Sequence, residues 1–221
     1  DVAIGHRTGD LAGVLAAAAV AVPGTRAHLV PGPYGHAAAR TLASLWPALL
    51  GEMRALEETG QDVLVDAGRL GLVGAPEPVI YGADLALLVV GSSLVAMSGA
   101  RSWAGTWRAT FDDVGSGAAT AAALVVGAGR PYSRREIGRV LPIGMLGEVA
   151  WDPAAAEVFA HGAAPGRRFG ASRLVRSLQE TQAAITAAIA RNRRDLGAAS
   201  DLGAAGDVGV PGPAQAGQGE S

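Results

Sequence analysis

The sequence predicts an α/β domain, a mostly parallel sheet with helices on both faces. Three observations predict it. Four short apolar runs, "DVLVDAG" at 62–68, "DLALLVVG" at 84–91, "AAALVVGAG" at 121–129 and "IGMLGEVAW" at 143–151, are separated by stretches with helical spacing. The runs are close to continuously apolar rather than alternating, which marks strands covered on both faces. Each run leaves through glycine, alanine, serine or aspartate, the residue types that let a chain turn out of a sheet. At 221 residues the chain has the length for one such domain with a sizeable core, or for two small ones.

The elements follow in order. Asp10 caps a helix from about Leu11 to Val20, and "AHLVPGP" is a short strand broken by its prolines. Leu42, Leu45, Trp46, Leu49, Leu50, Met53 and Leu56 recur at helical spacing, with Pro47 dividing or kinking that helix and Gly60 ending it. The strand 62–68 comes next, then a helical turn in "APEPVIYGA", the strand 84–91 and a helix from Leu94 to about Asp113. After the strand 121–129, Ser133 and Glu136 form a capping box for a helix to about Val140. The strand 143–151 leads to Asp152-Pro153, an N-cap and first-turn pair for a helix to about His161. The last helix spans about 172–194, with Leu174, Leu178, Ile185 and Ile189 on one stripe. From about 196 to 221 the chain is Gly, Ala, Pro, Asp and Gln, too poor in large apolar residues to offset its ordering entropy. This segment reads as a disordered low-complexity tail behind a folded unit at 1–195.

Composition narrows the chemistry. The net charge of −2 gives no electrostatic case for nucleic acid or an anionic membrane. No apolar run has the length of a membrane span and no signal-peptide pattern opens the chain, so the expected compartment is the cytoplasm. Cysteine is absent, which excludes disulfides and thiolate catalysis. All 18 basic residues are arginine, so any reaction that needs a lysine is closed to this chain acting alone. The four histidines are scattered without metal-ligand spacing.

Ligands of open parallel sheets bind beyond the carboxyl ends of the strands. Those exits are Asp66-Ala67-Gly68-Arg69, Gly91-Ser92-Ser93, Gly127-Ala128-Gly129-Arg130 and Ala150-Trp151-Asp152-Pro153. Two readings stand for Asp66: a ligand for magnesium, directly or through water, or a side chain capping its own turn. Arg130 is a solvated loop residue or a phosphate contact, and Trp151 is half-buried packing or a stacking surface for a base. Asp152 is first a helix N-cap, a role compatible with a ligand contact. Ser92-Ser93 lacks a nucleophile-elbow pattern. The arginines at 167, 168, 173, 176, 191, 193 and 194 read as the wet face of the last helix and its flank.

In their order and spacing, "DVLVDAG", "ADLALLVVGSSLVAMSGARSWA", "ALVVGAGRPYSRREI" and "LGEVAWDPAAAEVFAHG" resemble the MinD/ParA group of P-loop ATPases, including the localisation factors of pilus and secretion systems. The resemblance covers roughly 60–190, with a weaker echo in "AHLVPGP". It implies a P-loop NTPase-like, Rossmann-like three-layer fold. It also implies a bacterial protein that binds ATP and Mg2+ to control homodimerisation and the positioning of division, partition or pilus and secretion machinery through protein partners. Asp66 would then be the metal-holding and catalytic residue, and Gly68, Gly129, Arg130, Trp151, Asp152 and Pro153 the nucleotide-binding set. Three departures accompany it. The family's phosphate loop with two lysines is absent, which places that N-terminal segment ahead of Asp1. Gly127-Ala128 stands where the family commonly has Asn, and Ala150 where its turn usually has Pro. The alternative in a different class is a non-catalytic pseudo-ATPase scaffold or localisation factor.

Overall fold

A computed structural model of the protein describes residues 9–33, 35, 39, 40, 42–72, 75–113 and 120–205, with side chains to 195. Its centre is a three-stranded parallel sheet, β3 (Ala86–Gly91), β4 (Ala121–Val126) and β5 (Gly144–Val149), in the order β3-β4-β5. Ala86 pairs with Ala121 and Gly91 with Val126, an unbroken six-residue register. The β4–β5 ladder slips once: Ala123 faces Met145 but Leu124 faces Gly147, so Leu146 is an extra residue bulged from β5.

Helices cover both faces. On one, Ala86, Leu88, Val90, Ala121, Ala123 and Val125 meet α4 (Leu94–Asp113) and α5 (Arg134–Val140). Phe111 of α4 and Ile137 of α5 are wholly buried there, and the Phe111 ring sets an edge against Tyr81 at 5.3 Å and Trp107 at 6.3 Å. On the other face, Val149, Leu124 and Val126 pack with α6 (Pro153–His161) and α7 (Arg173–Ala205). The N-terminal caps are those read from sequence. Ser133 and Glu136 exchange bonds at the start of α5, Asp152 accepts from Ala155 N at the start of α6, and Gly162 closes α6 at φ 66°.

The N-terminal part forms a smaller cluster. α1 (Leu11–Ala18), capped by Asp10, and α2 (Trp46–Glu58) meet through Leu11, Leu45 and Leu49. Pro47 sits in the first turn of α2, after a 3-10 turn at Ala43–Leu45, so the expected long helix is two pieces. The strand expected in "AHLVPGP" is β2 (His28–Leu29), which pairs antiparallel with β1 (Val20–Ala21) as a hairpin outside the parallel sheet. The helical turn expected before β3 is α3 (Glu77–Gly82).

Four expectations need correction. The run 62–68 is not a strand: it has no regular secondary structure and joins no ladder among the described residues, with Leu64 95% exposed. An apolar run is suited to a sheet, but a strand exists only through backbone bonds to a neighbour about 4.8 Å away, and this run has none. On the last helix, Leu178 is exposed, and the buried stripe is Leu174, Ser177, Thr181, Ala188 and Asn192. Small and polar side chains occupy it because α7 lies against β5 at Gly147, where a Cβ would stand 3.1 Å from the Thr181 hydroxyl oxygen. Arg193 is not simply a wet arginine. It bridges Glu57 of α2 and Asp84 at the foot of β3, and the bond to Asp84 raises its pKa further. Finally, α7 continues to Ala205, past the expected start of the tail, on alanine and leucine that favour helix; 206–221 lie outside the described residues.

Candidate functional site

The three parallel strands bring three of the four proposed exits to one ledge. Its central strut is Ser92, 4% exposed at the end of β3. The Ser92 hydroxyl lies 2.6 Å from the carbonyl oxygens of both Gly127 and Arg130 and donates into that pair. Gly127 N in turn donates to Val149 O at 2.9 Å, which ties the exit of β4 to the end of β5. From the other face, Ala150 N donates to Ser177 Oγ at 2.9 Å, and that hydroxyl donates to Leu174 O at 2.8 Å. Two serines therefore hold the positions of all three loops. Each is a small polar residue next to an otherwise apolar segment, and that is the signal sequence reading passed over.

Gly127 is required twice. Its φ is +71°, and a Cβ there would approach Trp151 Cβ at 3.3 Å. Trp151 leans on the glycine yet remains 54% exposed, so it offers a flat apolar surface at the ledge. Gly129, at φ +84°, closes a tight loop by donating its N–H to Tyr132 O at 2.7 Å. Arg130 follows it, exposed. Asp152 is half-buried as the N-cap of α6, with Pro153 in the first turn.

Asp66 belongs to a different setting. Its Oδ1 accepts from Gly68 N at 2.8 Å, an Asx turn in which Gly68 takes φ +69°. The side-chain bonding of Asp66 thus stays inside its own turn, while the flanking Ala67 and Leu70 pack against the main core. Gly129, Arg130, Trp151, Asp152 and Pro153 are assembled by the sheet, whereas Asp66 and Gly68 are fixed only locally.

Asp66 is the carboxylate that the resemblance assigns to magnesium, an ion commonly held by one or two carboxylates with substrate phosphates and water. Asp66 is a single carboxylate already engaged through one oxygen, and no group of three or more His, Asp or Glu among the described residues is placed around a metal. No lysine exists to meet a phosphate. A groove of about 270 Å³ lies elsewhere, between α5, β5 and α7, lined by Arg134, Glu148, Ser177, Glu180 and Thr181.

No protein-family model and no curated protein matches the chain. A solved structure it is similar to is the MinD cell division protein of Aquifex aeolicus. The two are 17% identical with a TM-score of 0.48 over 70% of this chain and 61% of that one. The chain therefore spans about three fifths of that structure. No helix among the described residues is long and apolar enough to cross a membrane.

Proposed function

We propose that this chain is a MinD/ParA-like domain that works, as it stands, as a binding and positioning module rather than a hydrolase. The observation that carries the reading is the ledge built by Ser92, which ties the Gly127–Arg130 loop, with exposed Arg130, to the end of β3 while Gly127 in that loop lies against exposed Trp151, in a chain that holds no lysine. The aromatic face suits an apolar or aromatic group, and the guanidinium suits a carboxylate or phosphate next to it. Ser92 and Gly127 act as positioning residues for that pair. In a form that also carries the family's phosphate loop, the same ledge would flank ATP and Mg2+, with Asp66 on the metal and nucleotide state governing homodimerisation. Transition-state charge in phosphoryl transfer is stabilised by lysine and metal, so their partners must come from outside these residues.

The test is direct. With ATP and magnesium the 221-residue chain should release no phosphate above a protein-free control. Hydrolysis that disappears in Asp66→Asn would overturn the reading and restore the chain as an ATPase. Nucleotide binding without turnover is read separately, by a quench of tryptophan fluorescence present in the native chain and lost in Trp151→Ala.

A further inference from the structure

The apolar core is built in separate clusters. Leu11, Leu45 and Leu49, with Trp46 and Met53 against them, form the cluster between α1 and α2, and it shares no residue with the cluster under the sheet. α2 meets the rest of the domain at α3, and polar side chains gather at that join. Leu50 fits against Gly82, where a Cβ would stand 2.5 Å from its Cδ2. Arg54 Nη2 donates to Gly82 O at 3.2 Å. Arg193, from the far half of α7, pairs one nitrogen with both Glu57 of α2 and Asp84, the latter at 3.3 Å. Its neighbour Asn192, 7% exposed, donates to Asp84 O at 3.1 Å. Glu57 lies in the last turn of α2, where the helix dipole disfavours a carboxylate and α2 has no basic residue of its own. The cation that this end lacks arrives from α7. Asp62 also attracts the Arg193 guanidinium, so three carboxylates, Asp84, Glu57 and Asp62, act on one positive charge.

We propose that Arg193 is a salt-sensitive latch: it docks α2, and α1 with it, against the foot of the sheet, and this layer lifts as a unit when the guanidinium is screened or removed. With Arg193 in place, Glu57 and Asp84 are bridged. Without it they face each other as like charges beside Asp62, so its loss turns an attraction into a repulsion. An isolated exposed ion pair contributes little, but one cation shared by three carboxylates is a network. The bridged side chains are between 43% and 50% exposed, so dissolved ions reach them and screening weakens the latch. Asn192, buried and uncharged, keeps α7 on Asp84 when α2 leaves. α1 and α2 move together because they share a core of their own, and the sheet keeps its own. The join lies at the start of β3, the end opposite the ledge of Trp151 and Arg130, so the latch stands apart from the function proposed above.

The experiment is hydrogen exchange read by mass spectrometry on the full 221-residue chain. At low salt, the amides of α2 in Arg193→Gln should exchange at least about fivefold faster than in the native chain, while those of α4 keep their rate. Raising salt to about 0.5 M should move the native chain toward the variant and leave the variant nearly unchanged. Arg193→Lys, which keeps the charge, should retain most of the protection at low salt. Arg194→Gln is the control: that side chain bonds Ala190 O of its own helix, and its loss should leave α2 as in the native chain. Exchange of α2 indifferent to Arg193→Gln or to salt, a rise of equal size in α4, or the same rise in Arg194→Gln would overturn the proposal.

Discussion

β3 and β5 are the two edges of one sheet, six residues each, and they are finished in opposite ways. β5 carries Glu148 near its end, glycine at 144 and 147, and the Leu146 bulge, all features that discourage a further strand. Its exit is also tied to α7 through Ser177. β3 carries no charge and no bulge, and its Val89 faces solvent. Equal length and parallel pairing thus do not make equivalent edges. Among the described residues the β5 edge is finished by its own side chains and contributes to the stability of the domain.

The largest expected effect tests that statement. Gly147→Val places a branched side chain where even a Cβ meets Thr181 Oγ1 at 3.1 Å and Leu124 Cδ1 at 3.4 Å. Overpacking of this kind costs about 1–3 kcal/mol. Val89→Thr on the other edge should change stability by less than about 0.5 kcal/mol, because its site is exposed. Chemical denaturation of the two variants measures the contrast, and equal losses would break it. Next in size is Thr181→Val. The Thr181 hydroxyl is buried behind β5 without a hydrogen-bond partner among the described residues, so replacing it with a methyl of similar shape should raise stability by about 1 kcal/mol. A lower unfolding midpoint would mean that the hydroxyl has a partner in solution.

How much of this was legible in the sequence differs along the same lines. β3, β4, β5 and the four helices that cover them follow from local signals: continuous apolar runs, helical spacing, the Ser133–Glu136 box and the Asp152-Pro153 start. The segment 62–68 has the same apolar signal as β3, yet lacks a ladder, because periodicity reports what a segment can bury and not whether a neighbour is there. The α7 stripe misled for a related reason. Its large aliphatics are where a spacing argument looks, but close contact with Gly147 selects Ser177, Thr181 and Ala188. Of the candidate site, the exits were legible as places. Their joining through Ser92 was not, because a contact across 35 residues leaves no local pattern. The bonding of Asp66 to Gly68 N was legible as one of its two readings, since an Asx turn needs only neighbours.

The smallest effect concerns the helix that flanks β5 from the other side. At the start of α5, Glu136 Oε2 accepts from Ser133 Oγ at 2.6 Å and from Ser133 N at 2.8 Å. These bonds, the hydroxyl first, favour the ionised form and hold the carboxyl below the ordinary glutamate value of 4.5, with Arg139 adding to them. In the unfolded chain the bonds are gone and the pKa returns upward. Between the two values the unfolded state binds more protons, so stability falls as pH falls. The contribution is complete above the unfolded value and is lost as pH drops through the folded one. Glu136→Gln keeps a hydrogen-bonding side chain but has no proton to take up. The denaturation midpoint of the native chain should therefore fall further than that of Glu136→Gln between about pH 7 and about pH 3. Carboxylates elsewhere act alike in both proteins, so the difference between the two slopes isolates this cap, and identical slopes would show that the box adds nothing to the finish of the β5 side.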